Sequence, residues 1–241
     1  MPTRIRARAR FPRLPFLIGG VLLAIYTVTR LALTLLTGVD SVPVRLWPGI
    51  FAMGFWFDLV VVWVLLAPVL LYEALLPNRW RASRWHRGLR LVWLWLSVAL
   101  LLFGAVAEIT FWMEFTTRFN FIALDYLIYT QEVLGNIRQS YPVGWILTGI
   151  GMAAALIVWG MRKWVIQADN APLTRSQRIG LAIAALALPT LGLLAANVDQ
   201  MQGQGNNYAA ELSGNGLFTI SAAMRRNELD YDRFYRTIPQ A

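Results

Sequence analysis

Five stretches of this chain are apolar over about the 20 residues that a helix needs to cross a hydrocarbon core roughly 30 Å thick. They cover residues 16–36, 49–72, 89–112, 143–161 and 179–196. Inside a bilayer the backbone finds no water, so each N–H and C=O must be bonded within its own segment, and every stretch is expected to be helical. An all-α, polytopic membrane bundle of about five transmembrane helices follows. Composition agrees, since 57% of the 241 residues are hydrophobic and 15% charged, a balance foreign to soluble domains. The first stretch follows basic residues, as in a signal peptide, but it is long and lacks a small-x-small cleavage site, so it reads as a retained span. Pro68 and Pro189 fall inside the second and fifth stretches and are expected to kink or locally break them.

The formal charge of +9 does not describe a nucleic-acid-binding patch, because the basic residues lie in short segments between the apolar stretches. They act as a topology signal. Arg4, Arg6, Arg8, Arg10 and Arg13 precede the first span; Arg79, Arg81, Arg84, Arg87 and Arg90 follow the second; Arg162, Lys163, Arg175 and Arg178 follow the fourth. These segments are expected to face the cytoplasm, which puts the first and third loops and the tail after residue 196 on the opposite side. Trp47, Trp80, Trp85, Trp112 and Trp164 stand at expected helix ends, where an amphipathic ring suits the headgroup zone. Cysteine is absent, so thiol and disulfide chemistry play no part.

Two segments outside the spans carry pattern. In the outward loop 113–142, Phe115, Phe119, Ile122, Tyr126, Tyr129 and Val133 recur at alternating spacings of four and three and predict one helical face. Arg118, Asp125 and Glu132 recur every seven residues and predict a polar stripe beside it, with Glu114 nearby. Such a helix fits the membrane interface. Either the aromatics pack on the bundle and the charges are solvated ion pairs, or the polar stripe forms part of a lipid headgroup site. The chain is thus expected to divide into a membrane domain, 1–197, and an extracytoplasmic juxtamembrane helix and linker, 198–241. In the latter, Leu212, Ile220 and Met224 mark a helix over 208–229 that Gly214 and Gly216 weaken.

Arg30, Asp58 and Glu108 lie within spans, where an unpaired charge is costly. At about 1.5 Å per residue they sit roughly 9, 13 and 6 Å below the outer ends of their helices. All three fall in the outer half of the bilayer. An Arg30–Asp58 ion pair, with Glu108 as an added or competing partner, is the simplest arrangement, serving helix packing or lining a polar cavity for an anionic headgroup or an ion. Arg30, Asp58, Glu108, Glu114, Arg118, Asp125 and Glu132 are therefore the candidate substrate-binding residues. Glu73 reads as an interfacial partner of the arginine cluster, and His86, the one histidine, as an interfacial or solvated residue. No nucleophile with a base, phosphate-binding glycine loop or metal-ligand spacing is present. Glu228, Asp230 and Asp232, beside Arg225, Arg226 and Arg233, read as surface ion pairs.

Residues 111–142, FWMEFTTRFNFIALDYLIYTQEVLGNIRQSYP, resemble a segment of lipoteichoic-acid-synthase-like proteins of the sulfatase and alkaline phosphatase superfamily. The tail sequences NYAAELSGNGLF (207–218) and RNELDYDRFY (226–235) are similar to that family's junction between membrane and catalytic domains. The resemblance implies an anchor in the bacterial cytoplasmic (inner) membrane, ahead of an extracytoplasmic domain that transfers a phosphoglycerol-type group from a phospholipid or hydrolyses an ester. That domain, with its Thr or Ser nucleophile and a divalent metal such as Mn, is expected after about Tyr235 and is absent from the sequence. No catalytic or metal residue carries over, and the chain is expected to be a truncated form, a fragment or one half of a split gene. The expected function is a membrane-anchoring, lipid-donor-presenting domain, not catalytic alone. Its expected partners are membrane phospholipid and a sulfatase-like catalytic domain in cis or in trans. The alternative is a non-enzymatic scaffold or regulator that recruits an envelope protein. A transporter fits less well, because the spans show no inverted repeat.

Overall fold

The computed structural model describes residues 14–81, 83–128, 135, 137–167 and 172–226. Among them there is no strand. The helices, in chain order, are α1 (Leu14–Thr37), α2 (Trp47–Leu75), α3 (Asn78–Arg81), α4 (Arg84–Phe115), α5 (Phe121–Ile128), α6 (Val143–Gln167), α7 (Arg175–Ala195), α8 (Asn207–Ser213) and α9 (Gly216–Arg226). The five long ones, α1, α2, α4, α6 and α7, are the segments long and apolar enough to cross a membrane. All five expected spans are present as helices.

Most of the helices outrun their apolar stretches, because capping and not hydropathy sets their ends. Ser83 accepts a hydrogen bond from the backbone N–H of His86 at 3.1 Å, which starts α4 at Arg84 and puts Arg84, Arg87 and Arg90 on its first turns instead of in a loop. Thr174 and Gln177 form a reciprocal capping box that starts α7 at Arg175, again ahead of the apolar run. Pro68 and Pro189 lie inside α2 and α7 without ending either helix; a missing N–H near mid-helix removes one bond and leaves the rest of the ladder intact.

Packing runs laterally in the order α7, α2, α1, α4, α6, so α6 and α7, though consecutive in sequence, stand on opposite flanks. The core is mostly aliphatic, with Val60, Leu94 and Val98 enclosed around the Phe57 ring. Between α4 and α6 a side chain makes the polar link, Trp95 donating from its indole N–H to the Gly151 carbonyl at 3.2 Å. In a bilayer, where lipid tails are as apolar as leucine, contacts and bonds of this kind hold helices together more than the hydrophobic effect does.

The segment after α7 does not leave the bundle. Following a 3-10 turn at Val198–Met201, α8 packs on α1 and α2, and α9 packs on α5 and α2. Leu212, Ser213 and Asn215 are buried, and the Phe218 ring sits 4.8 Å from that of Phe57 on α2. Sequence periodicity predicts one juxtamembrane helix over 208–229. Its described part is two short helices, because Gly214 ends α8 in extended backbone and the Asn215 side chain restarts the chain, accepting from the N–H groups of Leu217 and Phe218.

The segment 113–142 differs from its expected pattern in the same way. Helix α4 runs on to Phe115 and stops at Thr116, whose φ of 53° is left-handed; Asn120 then opens α5 by accepting from the Ile122 N–H at 2.9 Å. Phe115 and Ile122 therefore belong to different helices, and the single aromatic stripe is broken. Tertiary folding still gathers the rings, Phe111 lying 4.6 Å from Phe115 and 5.3 Å from Phe119. Tyr129, Val133 and the tail from residue 227 onward lie outside the described residues, as does the N-terminal arginine run.

Candidate functional site

The end of the bundle covered by α5, α8 and α9, called here the tail end, holds a network of enclosed charges. Arg30 on α1 pairs with Asp58 on α2 at 2.7 Å, each 1% exposed. The guanidinium reaches Asp58 by lying flat across α2 one turn earlier, at Gly54, where a methyl group would stand 2.0 Å from Arg30 Cζ. The other guanidinium nitrogen donates to the carbonyls of Leu212 and Gly214, the latter at 2.6 Å. Asn215 donates to the same Asp58 oxygen at 2.8 Å.

A second pair, Glu108 on α4 with Arg118 from the turn before α5, is buried beside the first. Arg118 also donates to the Leu212 carbonyl, so both arginines converge on one tail oxygen. Glu108 presses against Gly216, where a Cβ would come within 2.5 Å of its carboxylate. Glu211 on α8 completes the tie by accepting from the Arg118 backbone N–H at 2.9 Å and the Thr117 hydroxyl at 2.8 Å, both at Oε2. The Tyr26 hydroxyl stands within electrostatic reach of Asp58 and Glu108 and beside Asn215. Two positive and two negative charges are thereby enclosed at net zero, and each arginine also donates to backbone carbonyls of the tail, the kind of pairing that lets buried ions be tolerated.

The expected Arg30–Asp58 pair is present, and Glu108 has Arg118 as its ion-pair partner. Arg118 and Asp125 do not share a stripe: Arg118 is 2% exposed inside the bundle, whereas Asp125 is exposed on α5. Glu114 is exposed near the end of α4, away from the paired charges, and Glu132 lies outside the described residues. Sequence reading missed Gly54, Glu211, Asn215 and Gly216. The run Ser213-Gly214-Asn215-Gly216, within a tail otherwise suited to a helix, was the available signal, because small residues in sequence permit a close approach.

At the opposite end, Glu73 and Arg81 form a third enclosed pair at 2.8 Å, and Arg90 donates to the Arg81 carbonyl at 3.2 Å. Of the two expected placements of His86, interfacial or solvated, the solvated one does not hold: it is buried, with Nδ1 2.8 Å from the Tyr72 hydroxyl, because the cap at Ser83 turns it inward on the first turn of α4. Arg178 on α7 donates to the Ala74 carbonyl and to the Asn78 side chain. These arginines close the α2–α4 connection and fasten α7 to it.

Two cavities flank α9 at the tail end. The larger, about 320 Å³, lies between α5, α8 and α9 and is lined by Phe119, Asn120, Phe121, Glu211 and Thr219 among others. The smaller, about 180 Å³, lies towards the end of α7 and includes Leu193, Phe218 and Arg225. Val198 and Ala222 line both. The divalent metal that the resemblance implies has no ligand set among the described residues, where no three His, Cys, Asp or Glu side chains come together. The fold and site thus define a multi-span helical membrane protein whose tail is bonded into the bundle. No family model, curated protein or solved structure matches the chain.

Proposed function

We propose that this chain is the membrane-anchoring, lipid-donor-presenting domain of a bacterial envelope transferase of the sulfatase-like kind, with the chemistry supplied by a catalytic domain in cis or in trans. The observation that carries the reading is the tail, held to the bundle by Arg30 and Arg118 and roofing a cavity of about 320 Å³, in the range of small-ligand pockets. A domain following α9 would then stand over that cavity at a fixed distance from the bilayer. The resemblance of residues 111–142 and 207–218 to the lipoteichoic-acid-synthase-like proteins supplies the reaction class, transfer of a phosphoglycerol-type group from phospholipid. In this reading the tail end faces away from the cytoplasm and the arginine-rich end faces it, as the charge asymmetry of the loops requires.

In proteoliposomes containing a sulfatase-like catalytic domain, joined or separate, adding this chain is expected to raise headgroup release from phospholipid. Thr219→Trp, which places an indole in the cavity, is expected to remove most of that gain. Equal release with and without the chain would sink the proposal. Loss of a bound envelope protein on tail deletion, with no change in headgroup release, would favour the scaffold reading instead.

A further inference from the structure

The two buried arginines of the tail end present more donors than the tail uses. Asp58 and Glu108 each hold one guanidinium by a single nitrogen, and the other terminal nitrogen of each is left for the tail. Arg30 Nη1 donates to the Leu212 and Gly214 carbonyls, and Arg118 Nη2 donates to the same Leu212 oxygen at 3.3 Å. Arg118 Nε, on the same edge of its guanidinium as Nη2, is buried with no hydrogen-bond partner among the described residues. Such an edge is a planar fork whose parallel N–H groups match two oxygens on one atom, as in a carboxylate or a phosphate. A backbone carbonyl offers one. Two guanidinium groups converging on a single neutral oxygen form a phosphate-binding arrangement in which a tail carbonyl stands where the ligand would. The level suits a lipid. Arg30 lies roughly two turns, or 10 Å, before the end of α1 at Thr37, and Arg118 lies past the end of α4 at Phe115. The oxygen they share is thus at the boundary between spans and headgroups, where a phospholipid carries its phosphate.

Resting on the lipid-presenting reading above, we infer that the phosphate of a glycerophospholipid binds on Arg30 Nη1 and the Nε–Nη2 edge of Arg118, in place of the Leu212 and Gly214 carbonyls. The tail is then a removable cover over the lipid site. Glu211, which lines the cavity of about 320 Å³, also accepts from the Arg118 backbone, so that cavity abuts the covered turn. A phosphodiester gains charge-assisted bonds that a carbonyl does not make, but it adds one negative charge to a set already balanced. Tail and lipid are therefore expected to exchange reversibly.

The test uses the full chain carrying Ser213→Cys in neutral detergent micelles, with lipid binding read by calorimetry and tail opening by reaction with a water-soluble maleimide. The probes are dihexanoyl phosphatidylglycerol, dihexanoylglycerol, which lacks the phosphate, and free glycerol phosphate. Phosphatidylglycerol at saturation is expected to raise the maleimide rate at least about tenfold, and the other two to bind at least about tenfold more weakly. Two variants separate a lipid site from a mere clasp, because both loosen the tail. Leu212→Ala withdraws a fully buried side chain from the cluster of Leu33, Ile50 and Trp112 and leaves the backbone carbonyl and both arginines in place. It is expected to tighten phosphatidylglycerol roughly tenfold, since apparent affinity follows the fraction of open molecules. Arg118→Met also frees the tail but removes the fork, and is expected to weaken the lipid at least about tenfold. Phosphatidylglycerol that binds Leu212→Ala no more tightly, binds Arg118→Met undiminished, or leaves the maleimide rate unchanged overturns the inference. Free glycerol phosphate binding as tightly as the lipid overturns the lipid source, and dihexanoylglycerol doing so overturns the role of the phosphate. Headgroup release that depends on this chain and persists in full in Arg118→Met would defeat this inference and leave the proposed function standing; Arg118-dependent lipid binding with no release would do the reverse.

Discussion

Gly54 is the residue on which the tail-end network turns. The Arg30 guanidinium occupies the space a side chain would fill, with its carbon 2.0 Å from where a Cβ would stand. Gly54→Ala is expected to push Arg30 out of line with Asp58 and the Leu212 and Gly214 carbonyls. Breaking a buried pair in this way costs about 3 kcal/mol or more. Denaturant titration in mixed micelles would measure it, and a loss below about 1 kcal/mol would mean that the guanidinium relocates without penalty. Removing charge should be ordered by the number of partners left behind. Arg30→Met leaves the Asp58 carboxylate without its counter-charge and takes a donor from the Gly214 and Leu212 carbonyls, whereas Asp58→Asn keeps an acceptor for both Arg30 and Asn215. The arginine change is therefore expected to be the more damaging. Arg30 and Asp58 were readable as a pair because charges in apolar runs have few permitted fates. Arg118 was not readable as the partner of Glu108, because its position depends on the left-handed turn at Thr116, which a helical pattern does not reveal.

At the scale of elements, α8 and α9 are held by polar bonds at one edge and by a few apolar contacts, while the long helices share an extended core. The tail is thus expected to detach before the bundle unfolds, a local opening of the kind that low contact density permits. Ser213 is fully buried and the chain has no cysteine, so Ser213→Cys gives one clean reporter. It is expected to resist maleimide in an otherwise unchanged chain and to react at least about tenfold faster when Arg118→Met is added, the equivalent of about 1.4 kcal/mol of opening free energy. Equal rates would show that the arginines do not hold the tail. Helix starts offer a second check: Thr174→Ala removes the capping box of α7 and should cost about 1 kcal/mol. The helical face expected from Phe115 onward fails as one element between Phe115 and Ile122 because Thr116 and Asn120 supply a stop and a start that periodicity overlooks.

For the whole molecule, the helices stand in the order α7, α2, α1, α4, α6 with α1 in the middle, and the two charge networks lie at opposite ends of that one bundle. If the arginine-rich end faces the cytoplasm, Tyr208→Cys should react with a membrane-impermeant maleimide in intact bacterial cells or spheroplasts, and Arg79→Cys should react only after the membrane is opened. The reverse pattern would invert the topology. The five spans and their helicity were legible in the sequence alone, because spanning is a local property: enough consecutive apolar residues, and a backbone that must bond to itself. Only the tertiary structure decided where the buried charges end. Arg30 spends its donors on a carbonyl 182 residues away, and local pattern carries no information about which distant carbonyl will arrive. That choice is made when the chain after α7 folds back, as Gly54 and Gly216 leave room for it and four enclosed charges require partners that lipid cannot supply.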